Sequence, residues 1–303
     1  MSPSASVEEV RASAWVQTMP AVFVFIWSTG FVVARLAMPH APPLGFLALR
    51  FALSVPIFLA WVVLSRARWP RNGLQWVHLA VTGALMHGAY LGGVWASIKG
   101  GLGAGTVALI VGLQPLLTAI WLARQGPEHQ IRPRQWIGLL LGLAGLVLVV
   151  LDRLGAGEVT PGNVALALVA LAGITVGTLY QKQNVAPCDV RTASVVQLSA
   201  AFVVTAPLAL LEHEAIVWHP DLQLALAWSI VALTLGASSL LFLLIQRGAA
   251  ARVSSLMYLV PPCTAVLAWL LFDEPLGPSV IAGIALTALG VGLVLRQGAA
   301  SSR

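Results

Sequence analysis

The sequence predicts an all-α integral membrane protein of ten transmembrane helices, arranged as two inverted five-helix repeats around a central cavity. Three observations predict it. Of 303 residues, 58% are hydrophobic and only 9% charged, whereas a soluble domain carries about a quarter charged residues. Apolar runs of the roughly 20 residues needed to cross a hydrocarbon core of about 30 Å follow one another almost end to end. The second half of the chain also repeats the first.

The ten runs are 14–37, 44–65, 74–97, 101–124, 133–151, 161–182, 190–211, 222–246, 250–272 and 276–296. Their boundaries are softest at Gly100-Gly101 and at Gly248, where almost nothing polar marks a turn. The first run is expected to remain as a helix, since Glu8 and Glu9 precede it with only Arg11 and it is too long for a signal-peptide core. Connections of about ten residues at most leave no room for a soluble domain. A net charge of +6 would suggest nucleic acid in a soluble protein, but here the basic residues are scattered singly through short loops. Cys188 and Cys263 have no His or Cys at metal spacing, so neither a metal nor a cofactor is expected.

The basic residues map a topology instead, because cytoplasmic loops collect Lys and Arg during insertion. With the N-terminus inside, 13 of the 17 basic residues fall in inner segments, whereas Lys99 and Arg153 alone fall in outer ones. Asp152, Glu158, Glu212, Glu214, Asp221, Asp273 and Glu274 fall outside. Both short tails, 1–13 and 297–303, are therefore expected in the cytoplasm of a bacterial inner-membrane protein.

Aligning GLGAGTVALIVGLQPLLTAIW from Gly101 with AARVSSLMYLVPPCTAVLAW from Ala250 sets Pro115 on Pro262 and Trp121 on Trp269. Further on, Gly138 and Gly145 match Gly283 and Gly290 with the same separation. The halves are 14–151 and 161–296. Five spans per half is an odd number, so the copies enter the membrane from opposite sides. Inverted repeats of this kind are a signature of transporters.

FIWSTGFVVARL in the first span, FLALRFALS in the second, and the helix, FDEPL turn and glycine-bearing final helix over 250–296 resemble EamA-type members of the drug/metabolite transporter superfamily. The resemblance covers nearly the whole chain. It implies a ten-helix exporter of small metabolites, and within the family the sequence is most similar to the amino-acid exporters that include the aromatic amino-acid and methyl viologen exporter. The first-half counterpart of the FDEPL turn, RQGPEHQIRP, keeps the acid as Glu128 in a longer basic loop.

Within the spans, polar residues and prolines mark candidate sites. Gln114 and Pro115 lie near the middle of the fourth span, as Pro261 and Pro262 do in the ninth. Proline removes a backbone hydrogen bond, leaving groups that lipid cannot satisfy, so both sites should face protein or a wet cavity. They are read as cavity-lining hinges or as packing kinks. Arg50 lies roughly 7 Å from the midplane by helical rise, where Arg costs about 2.5–3.5 kcal/mol on insertion scales. It is read as a clamp for an amino-acid carboxylate or, structurally, as a side chain snorkelling outward or tied to helix-end carbonyls and the 38–43 loop; its place toward the outer end favours the structural role. Arg35 reads as an end anchor. His87, Tyr90 and Trp95 in the third span, with Trp27, Ser28 and Thr29 in the first, supply the apolar bulk and few donors that a binding cavity needs. Tyr180, Gln246 and Tyr258 are further candidates. The tryptophans near span ends, Trp15, Trp69, Trp76, Trp136 and Trp218, read as interfacial belts.

None of the eleven acids lies near the centre of a span, whereas proton- and sodium-coupled carriers place a carboxylate there. Uncoupled export, or coupling to membrane potential, is expected. An enzyme is not expected, because no HExxH, facing aspartates or activated nucleophile is visible. The expected partners are a small-molecule substrate, most simply a neutral or aromatic amino acid, and membrane lipid; no nucleic acid is expected, and the sequence leaves the oligomeric state open, a monomer included. The alternative substrates are nucleosides, polyamines or cationic drugs, the last two of which would favour an acidic cavity.

Overall fold

The computed structural model describes residues 22–124, 133–155, 159–241 and 259–295, and these form helices joined by short connections, without a strand among them. The helices are α1 (Val22–Ala37), α2 (Pro43–Leu64), α3 (Gly73–Gly83), α4 (Tyr90–Lys99), α5 (Ala104–Val111), α6 (Gln114–Ala123), α7 (Pro133–Gly155), α8 (Pro161–Asn184), α9 (Val190–Ala209), α10 (Pro220–Trp228), α11 (Val260–Phe272) and α12 (Pro278–Leu295). A π-helical stretch, Ala84–Ala89, welds α3 to α4, and another, Ser229–Ser238, continues α10. With α5 and α6 taken as one interrupted span, the described residues form ten helical segments. Four continuous helices, Pro43–Leu64, Pro161–Asn184, Val190–Ala209 and Pro220–Leu241, are long and apolar enough to cross a membrane.

Local chemistry explains where the helices start. Pro43, Pro161 and Pro220 occupy first-turn positions, where the missing N–H costs nothing. Asn72 and Asp189 accept a first-turn amide of α3 and α9, and Thr160 with Asn163 forms a reciprocal capping box on α8. At the end of α11, Asp273 takes a left-handed conformation at φ 54°, and the chain turns into the next helix.

Helices then pack in antiparallel pairs. Gly145 lies against Gly283 and Gly290 against Gly138, so close that an added Cβ would sit 2.5 and 2.3 Å from the facing carbonyl oxygens. Thus α7 and α12 touch backbone to backbone. Gly93 is equally confined, 2.5 Å from the Leu166 carbonyl of α8 by the same construction. Elsewhere α2 runs along α9, Gly105 of α5 abuts Ala265 of α11, and Gly30 of α1 meets Leu233 in the second π segment.

The fourth span is interrupted at Gly112 and Leu113. The break falls where the sequence places a kink: Pro115 stands in the first turn of α6 and has no N–H to offer Val111 O at the end of α5. Gly112 packs on Pro261, with 2.9 Å from an added Cβ to Cγ. Pro261 and Pro262 stand in the first turn of α11, after Leu259 and Val260; residues 242–258 lie outside the described segments. Outward-facing positions such as Val63, Leu64, Leu210 and Val231 are apolar and exposed, as a lipid-facing surface requires. Trp69 and Trp76 stack at 5.3 Å, half-exposed near span ends.

Candidate functional site

A narrow cavity of about 60 Å³ runs between α1, α2, α4, α8, α9 and the two π segments. It has room for a handful of waters, so a molecule the size of an amino acid enters only as lining side chains part. Trp27, Arg50, His87, Tyr90 and Trp95 line it, together with Gln181, Ser194, Gln197 and Ser238 and apolar residues that include Phe31, Met86, Val94 and Leu233. Four of the expected site residues, Trp27, Arg50, His87 and Tyr90, therefore meet in one place.

Both π segments face this cavity. Met86 and His87 belong to the first, and Leu233 and Ser238 to the second. A π-helix widens the hydrogen-bond step by one residue, rotates side chains relative to an α-helix, and recurs at functional sites. Its signature is visible here: Thr234 Oγ1 donates to Ser229 O five residues back at 2.8 Å, and Ser238 Oγ to Leu233 O at 3.1 Å.

Arg50 is 4% exposed. Its Nε donates to Thr234 Oγ1 at 3.0 Å, its only hydrogen bond among the described residues, and it faces the cavity. This corrects the expectation of an arginine snorkelling outward. No Asp or Glu lines the cavity among the described residues. Gln197, on α9, has a buried Nε2 without a partner. Aromatic rings complete the walls, with Trp27 parallel to Tyr90 at 6.3 Å and Phe46 stacked behind Trp95 at 4.3 Å.

The other expected residues are placed differently. Gln114 donates to Thr178 Oγ1 at 3.2 Å, tying α6 to α8. Thr29 Oγ1 accepts from Trp228 Nε1 at 2.9 Å, and the Tyr180 hydroxyl pairs with His78 Nδ1 at 2.8 Å. None of the three lines this cavity, nor do Pro115, Pro261 or Pro262. Each polar group is satisfied by a neighbouring helix instead. Tyr258 and Gln246 lie outside the described residues. Gln181 and Ser194 are missed because amides and hydroxyls near span ends are common, and Gln197 and Ser238, deeper in their spans, because helices apolar on every side do not show which way a side chain faces.

One end of the bundle is closed by ionic contacts. Lys99 Nζ pairs with Glu214 at 2.5 Å and donates to Met38 O at 2.7 Å. Glu212 accepts the Leu44 and Gly45 amides at 3.1 and 2.8 Å, capping α2. Arg35 pairs with Glu274 at 2.7 Å and lies 5.5 Å over the Phe272 ring, so it anchors its helix end through a tertiary ion pair. Nearby, His40, His219 and Asp221 bring ligand atoms within 4.8 Å of one another. His219 Nδ1 already accepts the Asp221 amide at 3.2 Å, and it would have to surrender that cap to hold a cation.

The opposite end carries an open groove lined by Arg66, Arg68, Arg71 and Arg191. Asp189 caps α9 there, and its hydrogen bonds from Arg191 hold its carboxyl below the usual range. Burial pushes the neighbouring Cys188 thiol up.

The EamA-like transporter family matches this chain twice, over residues 15–151 and 162–296. Among curated proteins, "Uncharacterized transporter YvbV" of Bacillus subtilis is 27% identical over 90% of this chain and 89% of its own. "Uncharacterized inner membrane transporter YedA" of Escherichia coli is 26% identical over 88% of this chain and 84% of its own. A "Probable amino-acid metabolite efflux pump" of Escherichia coli is 27% identical over about half of each chain, 53% and 51%. One protein of known crystal structure, at 20% identity, superposes with a TM-score of 0.65 over 96% of this chain and 99% of that one, a likeness of fold alone. With matches that together span most of its length, and a bundle of apolar helices around a polar-lined cavity, the chain belongs to the EamA-like transporter family.

Proposed function

We propose that the protein exports small metabolites bearing a carboxylate and an apolar or aromatic side chain, neutral and aromatic amino acids among them, across the inner membrane by alternating access. The observation that carries this is Arg50, a cation buried beside the cavity whose only hydrogen bond among the described residues goes to a hydroxyl. A buried charge without a counter-ion is costly, and a substrate carboxylate offsets that cost with bidentate hydrogen bonds from the free guanidinium nitrogens. Trp27, Tyr90 and His87 would contact the rest of the molecule. Polyamines and cationic drugs fit poorly, since they would meet an unpaired arginine. The partial match to an amino-acid metabolite efflux pump points the same way.

Alternating access would use two inverted five-helix units, 14–151 and 161–296. The family matches once in each half. A two-fold relation between halves makes contacts reciprocal, and the packing is consistent with that. The first span meets the eighth and the third meets the sixth, while the fourth and fifth each pack on their own counterparts. The Gly145–Gly283 and Gly138–Gly290 contacts exchange with one another under the same relation. The π segments stand in the third and eighth spans, which are equivalent. Cytoplasmic termini follow from the distribution of basic residues, and transport driven by the substrate gradient or membrane potential follows from the lack of an acid at mid-span.

Efflux of labelled phenylalanine from proteoliposomes tests the reading. Wild-type protein should empty the vesicles, and Arg50→Gln should need roughly 10- to 100-fold more substrate for half-maximal flux, the equivalent of about 1.5–3 kcal/mol for a hydrogen bond to a charged group. Equal flux at equal substrate would remove Arg50 from the site.

A further inference from the structure

We propose, resting on the carboxylate reading of Arg50, that the cavity discriminates by net charge. Monoanionic acids without a free ammonium, such as oxo, hydroxy or N-acylated acids with an apolar or aromatic side chain, bind in preference to the zwitterionic amino acids of the same skeleton.

The inference comes from the charge balance of the cavity. Arg50 is its one permanently charged lining residue among those described. The carboxylates whose side chains are described are committed elsewhere or stand at the bundle ends: Glu212 caps α2, Glu214 holds Lys99, Glu274 holds Arg35 and Asp189 holds Arg191. A monoanion entering this space neutralises it, whereas a zwitterion leaves one uncompensated positive charge. Burying such a charge is expensive, because the low local dielectric that strengthens an ion pair also penalises an unpaired ion.

Geometry sharpens the preference. In an α-amino acid the ammonium is one carbon from the carboxylate, so a carboxylate held by Arg50 brings the ammonium close to the guanidinium. Repulsion between the two is poorly screened inside the bundle. What remains to receive the ammonium carries no negative charge: the amide oxygens of Gln181 and Gln197, the hydroxyls of Ser194 and Ser238, and the rings of His87, Tyr90 and Trp27. The Ser194 and Ser238 hydroxyls donate to Val190 O and Leu233 O, at 2.8 and 3.1 Å, and offer only lone pairs.

The donors fit an acceptor-rich ligand better. Gln197 Nε2 is buried without a hydrogen-bond partner among the described residues, a state with a real cost. The keto, hydroxyl or acyl oxygen that stands where an amino acid carries its ammonium would accept from such a donor, and an ammonium cannot. Arg50 and Gln197, on α2 and α9, thus line one space, the first bringing a cation and the second an amide nitrogen without a partner among the described residues.

The test is binding to the purified full-length protein, by calorimetry or ligand-induced thermal shift, with a matched set: phenylpropionate, phenylpyruvate, phenyllactate, N-acetylphenylalanine, phenylalanine and phenethylamine. The acids should bind at least about tenfold more tightly than phenylalanine, with phenethylamine silent, and Arg50→Gln should erase the advantage while Arg50→Lys keeps part of it. Ser194→Asp, which adds a carboxylate to the wall, should shift the preference toward phenylalanine. Phenylalanine binding as tightly as the acids to the wild type overturns the charge discrimination but leaves the carboxylate site standing. Binding of the acids by a folded Arg50→Gln variant at wild-type strength overturns both, and so does a set in which no carboxylate binds.

Discussion

Glu274, in the FDEPL turn, is the one buried acid among the described residues, and removing it should cost a predictable amount. Its Oε1 accepts from Arg35 at 2.7 Å and from the Ala104 amide at 3.1 Å. The second bond caps α5, whose own Gly103 offers no side chain for the purpose. Gly103 is also what admits the carboxylate, since an added Cβ would stand 2.9 Å from Glu274 Oε2. The Arg35 side chain is 36% exposed, so the ion pair is discounted to about 1 kcal/mol. Leaving the buried Ala104 amide unsatisfied costs about 1–3 kcal/mol. Glu274→Ala should therefore destabilise the folded state by roughly 2–4 kcal/mol. Glu274→Gln keeps an acceptor for Ala104 and loses only the charge, about 1 kcal/mol. Equilibrium unfolding in mixed micelles measures both, and an Arg35→Leu cycle isolates the pair. If Glu274→Ala costs under about 0.5 kcal/mol, or both variants cost the same, the capping argument is wrong.

Other predictions concern packing, the cavity wall and pH. Gly145→Leu should destabilise by about 1–3 kcal/mol or more, because even a Cβ there meets Gly283 O at 2.5 Å and Thr287 Oγ1 at 2.7 Å; thermal unfolding reads it. Gln114→Leu should cost about 1 kcal/mol through its lost bond to Thr178 while leaving efflux per folded molecule near wild type, whereas His87→Leu, in the cavity wall, should lower efflux. Asp189 is depressed by its hydrogen bonds to Arg191. Its contribution to stability is therefore fully present above the ordinary carboxylate pKa of about 3.9 and lost as pH falls through the lower folded value. Asp189→Asn should flatten that acid limb in an unfolding series, by a small amount because the pair lies at the surface and is only partly buried.

Much of the architecture could be read from the chain itself, and the reason is the solvent. Span number follows from hydrocarbon thickness, and starts at Pro43, Pro133, Pro161 and Pro278 follow from what proline tolerates. The matched glycines, Gly138 with Gly145 and Gly283 with Gly290, marked the surfaces where α7 and α12 meet. Trp27, His87 and Tyr90 could be picked out as candidates from their place within spans, whereas Arg50, toward the outer end of its span, read more readily as a structural side chain than as a cavity residue. The cavity was illegible where facing decides the matter. Gln114, Thr29 and Tyr180 look the same in sequence whether they line a cavity or bond to a neighbouring helix, because helices apolar all round carry no amphipathic stripe to orient them. The π segments were equally hidden, since neither ALMHGA nor SIVALTLGAS announces a changed hydrogen-bond step.

The claim that this cavity is the substrate path is tested most directly by labelling it from both sides. In a Cys188→Ser, Cys263→Ser background, Ser194→Cys and Val94→Cys, which both line it, one on α9 toward Asp189 and the other on α4 toward Lys99, would be exposed to a membrane-impermeant thiol reagent in sealed vesicles of each orientation. Ser194→Cys should react from the cytoplasmic side and Val94→Cys from the other, each slowed by phenylalanine or phenylpropionate in the wild-type cavity but not after Arg50→Gln. Labelling that ignores both compounds, or that never reaches Val94→Cys from either side, would contradict the claim.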